Sequence, residues 1–169
     1  MSGKKSGVIL RQGYEPGAIG RIVELHGRYY DRVWGSGAAF EILIAREVSE
    51  FIEHYDPDQN LLLTAHQGGA MIGSLALVGR TPEPGRAQLR FFIVDEACRR
   101  CGAGKALLDA GLAWCRERGF SGVFLWTVDN LAESRRMYER AGFAVTERVP
   151  DARYTALQDT LKMELDFSE

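Results

Sequence analysis

Apolar residues along this chain change spacing several times, and each change marks an element. Val8-Ile9-Leu10-Arg11 reads as a short strand, and Gly13 to Gly17, with Pro16 inside it, as the turn into a helix. Ile19, Ile22, Val23, His26 and Tyr30 lie three and four residues apart, which predicts an amphipathic helix. Past Gly35-Ser36-Gly37, the positions Phe40, Leu43, Ile44, Glu47, Val48, Phe51 and Ile52 repeat that spacing, with only Glu47 breaking the apolar stripe. Asp56-Pro57-Asp58 ends this second helix. Leu61 to His66 and Ala70 to Val78 then read as a hairpin around Gln67-Gly68-Gly69, and Gln88 to Val94 as a third strand after the turn Thr81 to Gly85. Within it, Phe91-Phe92-Ile93-Val94 is a nearly continuous apolar run of the kind that buried central strands show.

Helical spacing returns at Lys105, with Leu107, Ala110, Gly111 and Trp114 on one face and Leu108, Leu112 and Cys115 beside it, and stops at Gly119. Val123 to Val128 is the next strand, Ala132 to Arg140 a polar-faced helix ended by Gly142, and Phe143 to Arg148 and Leu161 to Phe167 two closing strands. The order is strand, two helices, three strands, helix, strand, helix, two strands. It is neither a regular alternation nor an all-antiparallel pattern, and it predicts a mixed α/β sheet. No internal repeat or linker divides the chain, so one domain over residues 8–169 is expected behind a loose tail at 1–7.

Composition narrows the function classes. With 169 residues, of which 46% are hydrophobic, the chain can bury a substantial core. A net charge of -2 provides no global basic field for nucleic acid or anionic lipid. No apolar stretch approaches the roughly 20 residues of a membrane span, and Met1 to Gly7 lacks a signal-peptide core, so a cytoplasmic location is expected. The cysteines number three, Cys98, Cys101 and Cys115, and are expected to be thiols. A zinc site built on Cys98-x-x-Cys101 would need His26, His54 or His66 at no recognisable spacing, and no metal is expected. Cys101 stands among arginines at a helix start, where its thiolate would be favoured and its oxidation would interfere with ligand binding.

The most informative segment runs from Ile93 to Lys105, out of a buried strand and into a helix whose entrance carries glycines. Such an entrance collects unpaired backbone N–H groups at the positive end of the helix dipole. Arg99, Arg100 and Lys105 can add charge, so a pyrophosphate-bearing ligand fits. Gly102-Ala103-Gly104 lacks the third glycine of a dinucleotide fingerprint, and no Gly-Lys-Ser/Thr closes a P-loop. Taken alone, the loop could equally be a basic glycine-rich turn.

Arg99-Arg100-Cys101-Gly102-Ala103-Gly104 resembles the Gln/Arg-x-x-Gly-x-Gly/Ala signature of the GNAT N-acetyltransferase superfamily, and Tyr138-Glu139-Arg140-Ala141-Gly142-Phe143 resembles its second signature. Leu25-His26, Phe40-Glu41, Ala87-Gln88-Leu89-Arg90, Trp126-Thr127 and Glu164-Leu165-Asp166 extend the likeness to the acetyltransferase half of proteins that carry a MarR-type DNA-binding domain, here absent. The resemblance spans roughly Ile9 to Phe167. It implies an α+β fold with about seven strands and about four helices, mostly antiparallel and splayed at the two central strands. It also implies acetyl-CoA as co-substrate, with Arg99, Arg100, Cys101, Gly102, Ala103, Gly104 and Lys105 around the pyrophosphate and the backbone of Phe92, Ile93 and Val94 along the pantetheine arm.

The same resemblance makes Tyr138 the proton donor to the departing thiolate and brings Asn130 and Ser134 into the cofactor set. Leu131 occupies the register usual for the asparagine, and Ser134 stands where alanine is common. Asn130 or Asp129 reads equally well as a helix N-cap. Glu24, His26, Glu41 and Asp129 are candidates for the base that deprotonates the acceptor amine. Glu41 is preferred, because the family's acceptor site borders that stretch. The resemblance implies a primary amine as acceptor, whether small molecule, peptide N-terminus or lysine. Its pocket draws on Tyr29, Tyr30, Trp34, Arg90 and Tyr154. Nucleic acid and membrane are not expected as partners, and homodimerisation is left open. The competing reading is a non-catalytic acyl-CoA sensor of the same fold.

Overall fold

The computed structural model describes residues 7–150 and 159–168. Seven strands form one sheet in the order β1-β2-β3-β4-β5-β7-β6. In chain order the elements are β1 (Ile9–Gln12), α1 (Ala18–Trp34), α2 (Gly37–Glu53), β2 (Asn60–Gln67), β3 (Ala70–Val78), β4 (Arg86–Val94), α3 (Ala103–Glu117), β5 (Gly122–Val128), α4 (Ala132–Arg140), β6 (Ala144–Pro150) and β7 (Asp159–Asp166). A single turn of 3-10 helix, Glu96–Cys98, lies between β4 and α3. The predicted order therefore holds, and most boundaries move by one or two residues. Among the described residues, no helix is long and apolar enough to cross a membrane.

The residues group into two compact units: one runs up to Leu77 and adds Phe91–Gly111, and the other comprises Val78–Arg90 and the chain from Leu112 onward. In the first, α1 buries Ala18, Ile22, Leu25, His26 and Gly27, and α2 buries Ile44, Val48 and Phe51. β1 pairs antiparallel with β2, from Ile9 opposite His66 to Gln12 opposite Leu63. β2 and β3 are joined by Gly68 (φ 60°) and Gly69 (φ 82°), a two-residue turn with both residues in the left-handed region. Leu61 to His66 and Ile72 to Leu77 are buried without alternation, as strands covered on both faces are.

β4 departs from its expectation. Phe91 and Ile93 are buried, whereas Phe92 and Val94 are half-buried, so the run Phe91 to Val94 alternates instead of lying wholly in the core. Phe91 also has φ 49°, a conformation costly for an aromatic L-residue. The Ser74 hydroxyl donates to the Phe91 carbonyl at 2.7 Å and helps hold it there.

In the second unit, the first three residues of β4 pair parallel with β5, Arg86 to Gln88 opposite Gly122 to Phe124. β5 pairs antiparallel with β7 along its whole length, from Gly122 opposite Asp166 to Val128 opposite Thr160. β6 adds antiparallel to β7, with an irregularity between Val145 and Glu147. Arg148 bridges Asp129 (2.5 Å) and Asp159 (3.0 Å), and Arg135 reaches Asp129 at 3.1 Å. Lys162, on β7, pairs with Glu83 and lies 3.5 Å from Glu164.

Candidate active site

The loop between β4 and α3 is built from its own backbone outward. Asp95 starts the 3-10 turn, its Oδ1 accepting from the Ala97 N–H at 3.0 Å, and its own N–H donates to the Ile72 carbonyl at 2.7 Å. Cys101 N–H closes on the Cys98 carbonyl at 3.2 Å. Arg100 (φ 67°) and Gly102 (φ 87°) then take left-handed conformations, which reverse the chain into Ala103. Glycine adopts this freely, but arginine does so at a cost of about 1–2 kcal/mol, strain of the kind found at ligand sites. The Ala106 N–H bonds the Gly102 carbonyl at 3.0 Å, so α3 begins two residues before Lys105, with Ala103, Gly104 and Lys105 as its first turn.

The three cations of the loop are not equivalent. Arg99 lies 3.3 Å from Glu96 and stacks over the Tyr29 ring at 5.8 Å. Lys105 pairs with Asp109 at 2.5 Å. Arg100 is exposed and has no ion-pair or hydrogen-bond partner among the described residues. Of the three, it is the cation that no described residue engages.

Arg21, which the sequence reading passed over, braces the loop from α1. Its Nε donates to the Met71 carbonyl at 2.9 Å, one Nη to Glu24 at 2.9 Å and the other to Asp95 at 2.7 Å. Arg32 holds Glu96 in the same way. These α1 residues and Val94-Asp95-Glu96 line a cleft of about 620 Å³ together with Leu25, Arg28 and Tyr29. The recurring arginines on α1 were visible in the sequence, but partners 64 and 74 residues away were not.

The candidate bases separate clearly. Glu24 is paired with Arg21 (2.9 Å) and Arg28 (3.0 Å), and its hydrogen bond from Arg21 holds its pKa below the carboxylate norm. Asp129 is likewise held low by its hydrogen bond from Arg148. A lowered pKa makes both poorer proton acceptors. His26 is buried, with Nδ1 2.7 Å from the Ile22 carbonyl, and burial lowers its pKa to about 4. Glu41 differs: it is exposed, and no ion-pair or hydrogen-bond partner engages it among the described residues. Its carboxylate rests against α1, where a Cβ on Gly27 would stand 3.0 Å from Oε2.

His26 carries a pH prediction. Its folded pKa lies below the unfolded value of 6.5, so the unfolded chain takes up the proton first as pH falls. Stability should therefore drop between pH 6.5 and about 4, and His26→Gln should flatten that part of a urea-midpoint profile.

Tyr138, Asn130 and Ser134 belong to the second unit. Tyr138 is buried on α4, its ring edge-on to Phe143 at 5.7 Å, and the Phe143 N–H bonds its carbonyl at 3.0 Å. The α4 N-cap is Leu131, with no side-chain cap bond, so neither Asn130 nor Asp129 fills the expected role. Asp129 is drawn away by the two arginines, and Asn130 is exposed. Ser134 is half-buried on the first turn of α4. Burial raises the thiol pKa values of Cys98 and, to about 12, Cys115, so neither is a ready thiolate. Arg90 is half-buried on β4, and Tyr154 lies outside the described residues.

The model of the acetyltransferase (GNAT) family matches residues 20–143. The mycothiol acetyltransferase of Propionibacterium freudenreichii is 33% identical over 93 residues, 54% of this chain and 29% of that protein. The chain thus spans less than a third of the length of that relative. Among solved structures, an N-acetyltransferase from Staphylococcus aureus superposes with a TM-score of 0.77 at 14% identity, covering 95% of this chain and 99% of that one. The Salmonella typhimurium protein yncA, solved with its cofactor acetyl-CoA, superposes with a TM-score of 0.73 at 17% identity, covering 97% of this chain and 96% of that one.

Proposed function

The chain belongs to the acetyltransferase (GNAT) family, and from that premise we propose that it is an acetyl-CoA-dependent N-acetyltransferase acting on a primary amine. The observation that carries the reading is the loop from Arg99 to Gly104. Two left-handed residues open the first turn of a 15-residue helix, and beside it stands Arg100, which no ion-pair or hydrogen-bond partner engages among the described residues. Backbone N–H groups, helix dipole and one available guanidinium suit the diphosphate of acetyl-CoA. Arg99, Cys101, Ala103, Gly104 and Lys105 complete that cradle. Phe92, Ile93 and Val94 offer backbone groups to the pantetheine amides, and Asn130 and Ser134 belong to the same proposed set.

Acetyl-CoA supplies an activated acyl group, and the protein's residues manage the protons. The acceptor arrives mostly as an ammonium, since amine pKa values lie near 10.4. Glu41, exposed and engaged by no partner among the described residues, takes that proton directly or through water. The free amine attacks the thioester carbon, the new C–N bond replaces the C–S bond, and the Tyr138 hydroxyl gives its proton to the leaving thiolate. Direct transfer in a ternary complex needs no acyl-enzyme. The domain limits 8–169 and the likeness to the acetyltransferase half of MarR-type fusions belong to the same proposal. The competing acyl-CoA sensor draws on one observation, the burial of Tyr138.

Thiol release with acetyl-CoA and a broad panel of amines and peptides tests the reading. Tight acetyl-CoA binding with release at background over the whole panel would leave the sensor. Arg100→Ala should raise the KM for acetyl-CoA about tenfold, the worth of one charge-assisted hydrogen bond, with kcat little changed. An unchanged KM would remove Arg100 from the cradle.

A further inference from the structure

Aromatic side chains gather where α1 meets α2. Tyr30 is the hub, with ring centroids of Phe40 at 4.5 Å, Trp34 at 4.6 Å and Tyr29 at 5.0 Å. Behind it, His26 stacks at 6.3 Å and turns its edge to Phe91 at 6.5 Å. The cluster is graded: His26 and Phe91 are buried, while Tyr29, Tyr30, Trp34 and Phe40 are half-buried. Four large rings are thus left partly open at one helix junction instead of being sealed in the core. In that junction the Ser36 hydroxyl is buried without a hydrogen-bond partner among the described residues.

The charges nearby are selective. Glu41 follows Phe40, and its carboxylate rests on Gly27, one helical turn before Tyr30. The other carboxylates of this region are occupied: Glu24 by Arg21 and Arg28, Asp95 by Arg21, Glu96 by Arg32 and Arg99, and Asp31 by the Gly37 N–H at 3.0 Å. A polycation needs several free carboxylates, and among the described residues of this region Glu41 is the one that no cation or N–H engages. A single ammonium carried on an aromatic group needs one carboxylate and ring faces to stack on.

We propose that this cluster binds the acceptor and that the acceptor is a monoamine carried on an aromatic group, with its ammonium at Glu41 and its ring against Tyr30, Trp34 and Phe40. The inference rests on the N-acetyltransferase reading above and adds the substrate class to it. Polyamines and aminoglycosides, with several cations and no aromatic ring, are excluded by the same arrangement.

The test is a thiol-release assay on the full chain with phenethylamine, tryptamine, butylamine, spermidine and kanamycin at saturating acetyl-CoA. The two aromatic amines should show kcat/KM at least about tenfold above the other three, the factor one or two ring contacts supply. Trp34→Ala should raise the KM for phenethylamine about tenfold while leaving the KM for butylamine and acetyl-CoA unchanged, and Trp34→Phe should restore most of the loss. Phe40→Leu serves as a second variant if Trp34→Ala does not fold, judged by acetyl-CoA binding. Preference for spermidine or kanamycin, or an equal loss for phenethylamine and butylamine, would overturn the inference. If no amine releases CoA, the transferase reading has failed. Calorimetry of phenethylamine with the CoA-loaded protein then decides this inference separately: weakening by Trp34→Ala supports it, and no binding rejects it.

Discussion

Tyr138→Phe should lower kcat by about 10²–10³ while leaving the KM for acetyl-CoA and the fold unchanged. The substitution removes one oxygen. The ring is only 7% exposed and meets Phe143 edge-on at 5.7 Å, contacts that phenylalanine keeps. A loss confined to kcat therefore reports the hydroxyl and not the packing. Steady-state kinetics beside a thermal melt make the measurement. An unchanged kcat would take Tyr138 out of the chemistry and leave it as a residue that seats α4.

Gly122→Ala should cost about 3 kcal/mol of stability, at the upper end of what overpacking does. A Cβ there would stand 2.5 Å from the Leu165 carbonyl oxygen and 2.7 Å from an Arg86 Nη. The carbonyl belongs to β7, which is paired with β5 from end to end, so it cannot retreat without breaking register. Gly111→Ala is the informative contrast. Its Cβ would meet a Leu75 methyl at 2.9 Å, the end of a flexible side chain, and alanine favours the helix by about 1 kcal/mol. Urea unfolding should place the Gly122→Ala midpoint well below that of Gly111→Ala. Equal midpoints would mean that β7 yields more easily than its pairing implies.

Ion pairing, more than position, sorts the candidate bases. Glu24, Asp129 and Glu41 are all acidic residues near helix segments, and in the sequence only the family resemblance, which sets the acceptor site beside Glu41, ranks them. In the structure, arginines claim the first two and lower their proton affinity, while no described residue pairs with Glu41. The same arginines organise the site. Arg21 ties the start of β3, α1 and the first residue of the loop together through three side-chain bonds. Arg21→Ala would therefore loosen the β4–α3 loop from α1 and β3.

By itself the sequence determined whatever depends on neighbours a few residues apart. Helical and strand spacings placed all eleven elements in order, because 3.6- and 2-residue periods are local consequences of backbone geometry. The Gly68-Gly69 turn and the loop from Arg99 to Gly104 were legible for the same reason, since glycines and basic residues at a helix entrance act through their own backbone. Tertiary structure alone decided what depends on distant partners. It set the positive φ of Phe91, which no local preference favours and which Ser74 supports from β3. It passed over Asn130 and Asp129 for Leu131 at the start of α4, because Arg135 and Arg148 compete for the Asp129 carboxylate. It also gathered His26, Tyr30, Phe40 and Phe91 into one cluster, because side-chain packing joins residues that chain spacing keeps apart.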